Sequence, residues 1–253
     1  MHSIFDRPIL IAVVAALLFT AATVIGIVMS RVRKPLDGGQ REDFNLVLGA
    51  TLTLLSLIIG FSFSMAISRY DQREALEEAE ANAIGTEYVR CDFLAAPFAA
   101  DAKAMLREYA RLRVDFYSIR DGVQLQSVDE RTLRLQDRLW AAVASGVREA
   151  PNPLGALAVA GMNDVLNSQG YTQAAWWNRI PVGAWVLMAT IGTLACGMVG
   201  FGARAAQKEP LLMLTVPAIV AVSMFLIADI DSPRGGVILV APQNLLALLA
   251  TLR

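Results

Sequence analysis

The sequence predicts an all-α integral membrane protein in which four transmembrane helices carry a helical soluble domain inserted between the second and the third. Three observations predict it. Of the 253 residues, 55% are hydrophobic and the mean hydropathy is +0.48, more apolar than soluble domains of this size usually are. The apolar residues gather into runs long enough for a ~30 Å hydrocarbon layer, which takes about 20 helical residues. Between the second and third runs lies a charged stretch whose apolar residues recur at helical spacing, with no strand alternation of any length. These divide the chain into residues 1–68 (transmembrane helices 1 and 2), 69–178 (an extramembrane domain continuous with helix 2), 179–230 (transmembrane helices 3 and 4) and 231–253 (a tail packed on the soluble domain or the membrane surface).

The first run, Pro8 to Ser30, is free of charge and is stopped by Arg31, Arg33 and Lys34. It reads as a retained helix, since it is longer than the apolar region of a signal peptide; cleavage is the alternative. Pro35-Leu36-Asp37-Gly38-Gly39 is a turn. The second run extends from near Phe44 to near Ser68 and continues without proline into QREALEEAEANAIGTEYVRCDFL, which predicts one helix from Asn45 to Leu94. Its apolar half carries Gly49, Thr53, Ser56, Gly60 and Ser64 at spacings of three and four, placing small and hydroxylated residues on one face. Such a face packs closely on another helix or lines a water-filled path.

In the soluble stretch Leu76, Ala79, Ala83 and Cys91 form the expected buried stripe, with Glu77, Glu78, Glu80 and Glu87 largely off it. Pro97 breaks the helix. The next helix carries Met105, Leu112 and Phe116 and stops at Asp121-Gly122. Ser127-Val128-Asp129-Glu130 fits a capping box, opening a helix that carries Leu133, Leu135, Leu139, Trp140 and Val143. Asn152-Pro153 opens another, with proline at its first position, running through Leu157 and Met162 to about Leu166. Trp176-Trp177 is an interfacial aromatic pair, with Trp185 further in, ahead of the third span, Ile180 to Ala203. Leu211 to Ala228 is the fourth, with Pro217 expected to kink it. Gln243 to Leu252 is too short to span.

The composition excludes several functions. A net charge of −1 advertises no nucleic-acid surface. The single histidine, His2, sits at a terminus, reads as an ordinary surface residue, and leaves no histidine for a metal cluster or a Ser-His-Asp triad. Cys91 and Cys196 have no CxxC or histidine companion and read as small core residues. No phosphate loop, nucleophile elbow, metal motif or dinucleotide fingerprint is present, so no enzyme, cofactor or metal is expected. With four spans, both termini and the soluble domain share one side. Six basic residues (Arg31, Arg33, Lys34, Arg41, Arg204, Lys208) flank the connections on the other side, against five (Arg7, Arg69, Arg73, Arg179, Arg234), a margin too small to fix orientation.

Two segments, GFSFSMAISRYDQREALEEAEANAIGTEYVR (60–90) and DIDSPRGGVILV (229–240), resemble the bacterial bestrophin-like family of membrane proteins. The core of the resemblance is Glu80-Ala81-Asn82-Ala83-Ile84-Gly85-Thr86. More distantly, Gly60-Phe61 and Arg69-Tyr70 are similar to the second span of true bestrophins, which are pentameric anion channels. The resemblance implies a multi-pass protein of the bacterial inner membrane, a homo-oligomer, inorganic ions as partners beside the lipid bilayer, and an apolar neck at Phe61 or Phe63. The acidic calcium clasp of the eukaryotic members and the proline-rich lead into their second span are not evident here.

The candidate sites follow. Gly49, Thr53, Ser56, Gly60, Phe61, Phe63 and Ser64 are the pore-lining candidates. Asp229 and Asp231 end an apolar helix, where an unpaired carboxylate is costly. Arg69, at the corresponding end of the second span, is the expected partner, with Arg234 competing; these four residues would couple helix ends as a staple or a gate. Glu80, Asn82, Gly85, Thr86 and Arg90 are expected at a helix or subunit contact, because Gly85 lowers helix stability by about 1 kcal/mol unless a close neighbour needs it. The glutamates of 77–87 read as a solvated face paired with Arg73, Arg90, Arg107, Arg111 and Arg113, the alternative being a cation site of hard oxygens. Two functions stand: an oligomeric channel for anions lined by helix 2, and a membrane-anchored interaction or sensor module that does not conduct.

Overall fold

The computed structural model describes residues 7–202 and 209–252; His2, Arg204 and Lys208, named above, lie outside them. Among the described residues there is no strand. The described residues form, in order, α1 (Pro8–Val32), α2 (Gly38–Arg90), α3 (Ala96–Ser118), α4 (Gly122–Glu149), α5 (Gly155–Trp177), α6 (Val182–Gly202), α7 (Pro210–Asp231) and α8 (Gln243–Thr251), with a 3₁₀ turn at Cys91–Phe93 after α2. The helices long and apolar enough to cross a membrane are α1, α2, α6 and α7. The chain forms two compact units, residues 1–70 with 179–239 and residues 71–178 with 240–253.

The first unit packs α1, the apolar half of α2, α6 and α7 around Phe19, Met188, Cys196 and Ile227, all fully buried. Its closest seam is between α1 and α6. A Cβ added to Gly26 would overlap the Gly197 carbonyl oxygen, and one on Gly200 would overlap that of Thr23. Small residues let the two backbones touch, which is how helices gain contact where lipid removes the hydrophobic drive. Thr23 donates its hydroxyl to the Phe19 carbonyl at 2.9 Å, so that hydroxyl is satisfied within α1.

The second unit packs α3, α4, α5, α8 and the charged half of α2. Ala102, Leu106, Tyr109, Ala110 and Phe116 form the inward stripe of α3, displacing Met105, which is only half-buried. Phe116 and Trp176 have ring centroids 4.9 Å apart, and Tyr117 lies edge-on to Trp176 at 5.5 Å. In α4, Leu135, Leu139 and Val143 are buried, while Leu133 and Trp140 are 57% and 41% exposed and do not join the core. The helix begins five residues earlier than the expected box at Ser127: the Asp121 carboxylate accepts the amides of Val123 and Gln124 at 3.0 and 2.9 Å. Asp121 is therefore an N-cap and not the end of α3. Asn152 accepts the Gly155 amide at 2.8 Å, so α5 starts two residues after Pro153, and it continues past Leu166 to Trp177.

Candidate functional site

The membrane half of α2 is the least covered of the spans. Only 11% of its most apolar window is buried, against 28% in α1 and 39% in α7. Leu55, Ser62 and Ala66 face the core of the first unit. Gly49, Thr53, Ser56, Gly60 and Ser64 are all exposed, on a face that helical geometry places roughly 140° round from the buried one. A Cβ on Gly49 or Gly60 would meet nothing within 4 Å. Within the protomer this face is thus not packed against another helix. Thr53 donates to the Gly49 carbonyl and Ser56 to that of Leu52, both at 2.9 Å. Their protons are used inside the helix, and the oxygen lone pairs are what the open face presents. Phe61 is 64% exposed and Phe63 37%.

Beyond Ser68 the helix carries seven ionisable residues between Arg69 and Glu80 (Arg69, Asp71, Arg73, Glu74, Glu77, Glu78, Glu80), a density no hydrocarbon layer accommodates. Here the expected pattern is reversed. Arg73, Glu77, Glu80 and Glu87 are buried, each at most 1% exposed, beside Ala81 and Ile84, while of the expected stripe Ala79 is exposed, Leu76 and Ala83 are only half-buried, and Cys91 is buried. Of the expected outward glutamates only Glu78 faces solvent. The physical reason is that three of the four buried groups find fixed partners. The Arg73 guanidinium donates to the carbonyls of Ala175 and Asn178, both at 3.3 Å, satisfying acceptors at the end of α5. Glu77 accepts the Asn244 side-chain amide at 2.7 Å and the Leu245 backbone amide at 2.9 Å, so it caps the first turn of α8 from another helix. Glu80 pairs with Arg113 of α3, both side chains fully buried, and the hydroxyls of Thr172 and Tyr117 reach its other oxygen at 3.4 and 3.5 Å. Burial opposes the Arg113 charge, but Glu80, joined by Tyr109 and Tyr117, outweighs it, and the pKa is raised.

Glu87 is different. It is fully buried, and neither carboxyl oxygen has a hydrogen-bond partner. Burial pushes its pKa up from 4.5 to about 8; Arg90 works against that rise and Asp164 adds to it. The remaining expected contact residues divide. A Cβ on Gly85 would lie 3.0 Å from Leu248 Cδ1, so the close neighbour of this glycine is α8 of the same chain. Asn82 and Thr86 are exposed and border a groove with Asn244, Leu248 and Thr251, and Arg90 is half-buried.

The helix-end residues do not meet as expected. The Asp229 carboxylate accepts the backbone amides of Val237 and Ile238, each at 2.8 Å, folding the turn after α7 back onto its end. Gly236 is required there, because a Cβ would stand 2.5 Å from the Asp229 carbonyl oxygen. Asp231 accepts the Ile180 amide at 3.2 Å and lies 3.9 Å from Arg179, tying the start of α6 to the end of α7. Arg69 pairs with neither: its Nε and Nη1 are buried without a hydrogen-bond partner in the protomer. Backbone amides at a helix start and in a tight turn are fixed donors already at the carboxylates, and they displaced the long side chain in this role. Arg234 is half-buried. No periodicity in the sequence signals Arg179, Glu77 as a cap, or the Gly161 contact of Glu87; those partners lie far apart along the chain.

A four-span helical membrane protein with a helical domain grown out of its second span defines a narrow class. The family profile of the Bestrophin-like domain matches residues 16–245, and the chain belongs to that family. Crystal structures of a bacterial bestrophin homolog from Klebsiella pneumoniae share the fold. The one phased on zinc superposes with a TM-score of 0.65 at 15% identity, covering 94% of this chain and 98% of that one. An isoleucine-to-threonine variant gives 0.64 at 15% identity over 94% and 99%, and a leucine-to-threonine variant 0.66 at 14% over 95% and 96%. No curated protein matches the chain.

Proposed function

We propose that several copies of this chain assemble around α2 and form a path for inorganic ions across the bacterial inner membrane. The observation that carries this reading is the open face of Gly49, Thr53, Ser56, Gly60 and Ser64, which nothing in the protomer covers. Four spans enclose no aqueous path by themselves, so conduction requires a ring of copies with this face innermost. The pentamer of true bestrophins is the stoichiometry the family likeness suggests. Phe61 and Phe63 flank the open face and are the residues for an apolar neck.

The family likeness suggests anions. A second reading, cation conduction, is favoured by this chain's own chemistry. Thr53 and Ser56 present oxygens rather than protons, and the exposed residues following on α2 include Asp71, Glu74 and Glu78. Carboxylates and hydroxyl oxygens attract cations and repel anions.

The test is purified protein in planar bilayers under a salt gradient, with its mass measured in lipid. A ring of copies with current, whose reversal potential gives the sign of the ion, supports the proposal. Cysteine at Ser56 should make that current sensitive to a water-soluble thiol reagent. A monomer that passes no current would overturn it and leave the membrane-anchored interaction module as the reading.

A further inference from the structure

We propose that the contact between α2 and α5 at Glu87 and Gly161 is a proton-controlled latch, closed while the Glu87 carboxyl is neutral and released when it ionises. The proposal rests on the second unit alone and does not depend on conduction.

The geometry singles out this carboxyl. On the buried stripe of α2, Arg73, Glu77 and Glu80 each have fixed partners. Glu87 is equally buried, yet both of its oxygens are unpartnered. Its Oε2 lies against Gly161 so closely that a Cβ there would overlap it, and the same Cβ would stand 2.7 Å from Arg90 Nη1. Glycine at 161 is therefore what lets a carboxyl group and a guanidinium edge share this part of the α2–α5 interface. The apolar residues around them on α5, Ala158, Met162 and Val165, are buried and supply no donor from their side chains.

The charges facing the group come from three elements. Arg90 is on its own helix, one turn on, and Asp164 is on α5, three residues beyond Gly161. Cys91 follows on the 3₁₀ turn; burial raises its thiol pKa, with the Glu87 charge adding to the rise, while Lys103 of α3 and Asp92 act on it in opposite directions. A neutral carboxylic acid tolerates such a site far better than a carboxylate, which loses hydration and gains no hydrogen bond. Ionised, Glu87 has two ways to recover that loss: to swing toward Arg90, or to leave the interface and admit water. Both undo the contact on Gly161, because Oε2 and Nη1 are both fitted against that glycine.

The direction with pH follows from linkage. The folded state holds the Glu87 proton up to about pH 8, while the unfolded chain releases it near its ordinary value of 4.5. The folded state binds more protons between those values, so this group's contribution to stability is full below 4.5 and is lost as pH rises through about 8. The latch is closed on the acid side and open on the alkaline side.

The experiment is hydrogen–deuterium exchange of the full chain in lipid nanodiscs at pH 7 and pH 9, corrected for intrinsic exchange and read on residues 155–177. Wild type should lose about tenfold in protection of α5 between the two, since each pH unit within the linkage window is worth a factor of ~10. Glu87→Gln, which cannot ionise, should keep its protection at both. Asp164→Asn removes a carboxylate that raises the Glu87 pKa, so it should lower that pKa and move the transition to lower pH. Infrared difference spectra of wild type give a readout independent of any variant: a protonated-carboxyl band that disappears across pH 7–9. The proposal is overturned if wild type and Glu87→Gln show the same pH response, or if wild type shows no titrating carboxyl band in that range.

Discussion

The two halves of α2 treat polar residues in opposite ways. In the membrane half the stripe of Gly49, Thr53, Ser56, Gly60 and Ser64 points away from the protein's own core. In the half beyond Arg69 the charged residues Arg73, Glu77, Glu80 and Glu87 point into it. One helix thus reverses the usual arrangement twice, and for different reasons. Lipid gives no hydration to an outward hydroxyl, so an open polar face in the apolar half calls for water or another copy beside it. Water would readily hydrate an outward glutamate, so burying three of them calls for specific partners or a neutral form. The outward face of the first half and the inward face of the second are where this chain departs from generic helix packing, and each can be altered without the other.

The largest effect should come from the inward side. Replacing Arg113 by alanine leaves Glu80 buried without its fixed ion partner, and breaking a buried pair costs about 3–5 kcal/mol. Thermal unfolding in detergent, followed by far-ultraviolet circular dichroism, should show that loss. Replacing Glu80 and Arg113 together by leucine and methionine should be milder than the single change, since no lone charge remains. A double variant as unstable as the sum of its parts would mean that the pair does not act as a unit.

The next effect is at the tail. Glu77→Ala removes the carboxylate that accepts the Asn244 and Leu245 donors, and orphaned groups of this kind are worth about 1–3 kcal/mol. Because the loss is confined to α8, it should show as earlier protease cleavage within residues 243–251 rather than as a lower unfolding temperature of the whole. A tail as resistant as wild type would show that α8 is held by Leu245 and Leu248 alone.

How much of this was legible beforehand follows the range of the interactions. The spans were legible, because a run such as Pro8 to Ser30 carries its signal in one place, and so was the continuity of α2, which no proline interrupts. The inward turn of Glu77, Glu80 and Glu87 was not, since the sequence around them shows alanines and leucine at equally good helical spacing. The deciding partners, Arg113 and Leu245, lie 33 and 168 residues away. Of the candidate site, the small face of α2 was recognisable as a stripe, but whether it was covered depended on where α1, α6 and α7 settle. Arg69 is not the partner of these carboxylates for a related reason: the amides of Val237, Ile238 and Ile180 are the donors they accept. Backbone donors are invisible in a sequence until the turn that aims them is known.

The seam of α1 and α6 gives a third, intermediate change. Gly26→Ala would drive a methyl into the Gly197 carbonyl, and overpacking of this kind costs typically about 1–3 kcal/mol. It serves as the reference for glycines of the membrane unit that are packed, against which the open ones are judged.

The smallest effect on stability, and the one that most sharpens the comparison, is expected at Gly60. A methyl added there meets nothing in the protomer, and alanine is the better helix former by about 1 kcal/mol. Gly60→Ala should therefore leave the unfolding temperature unchanged or slightly raised, while Gly26→Ala lowers it. If the face lines a water path, Gly60→Ala should keep the assembly intact and change the single-channel current, because the added group narrows the path without touching a neighbour. If instead another copy packs on this face, the same methyl should weaken the assembly, and the mass in lipid should fall toward that of one chain. The two outcomes separate an open face that is open to water from one that is open only until a second copy covers it.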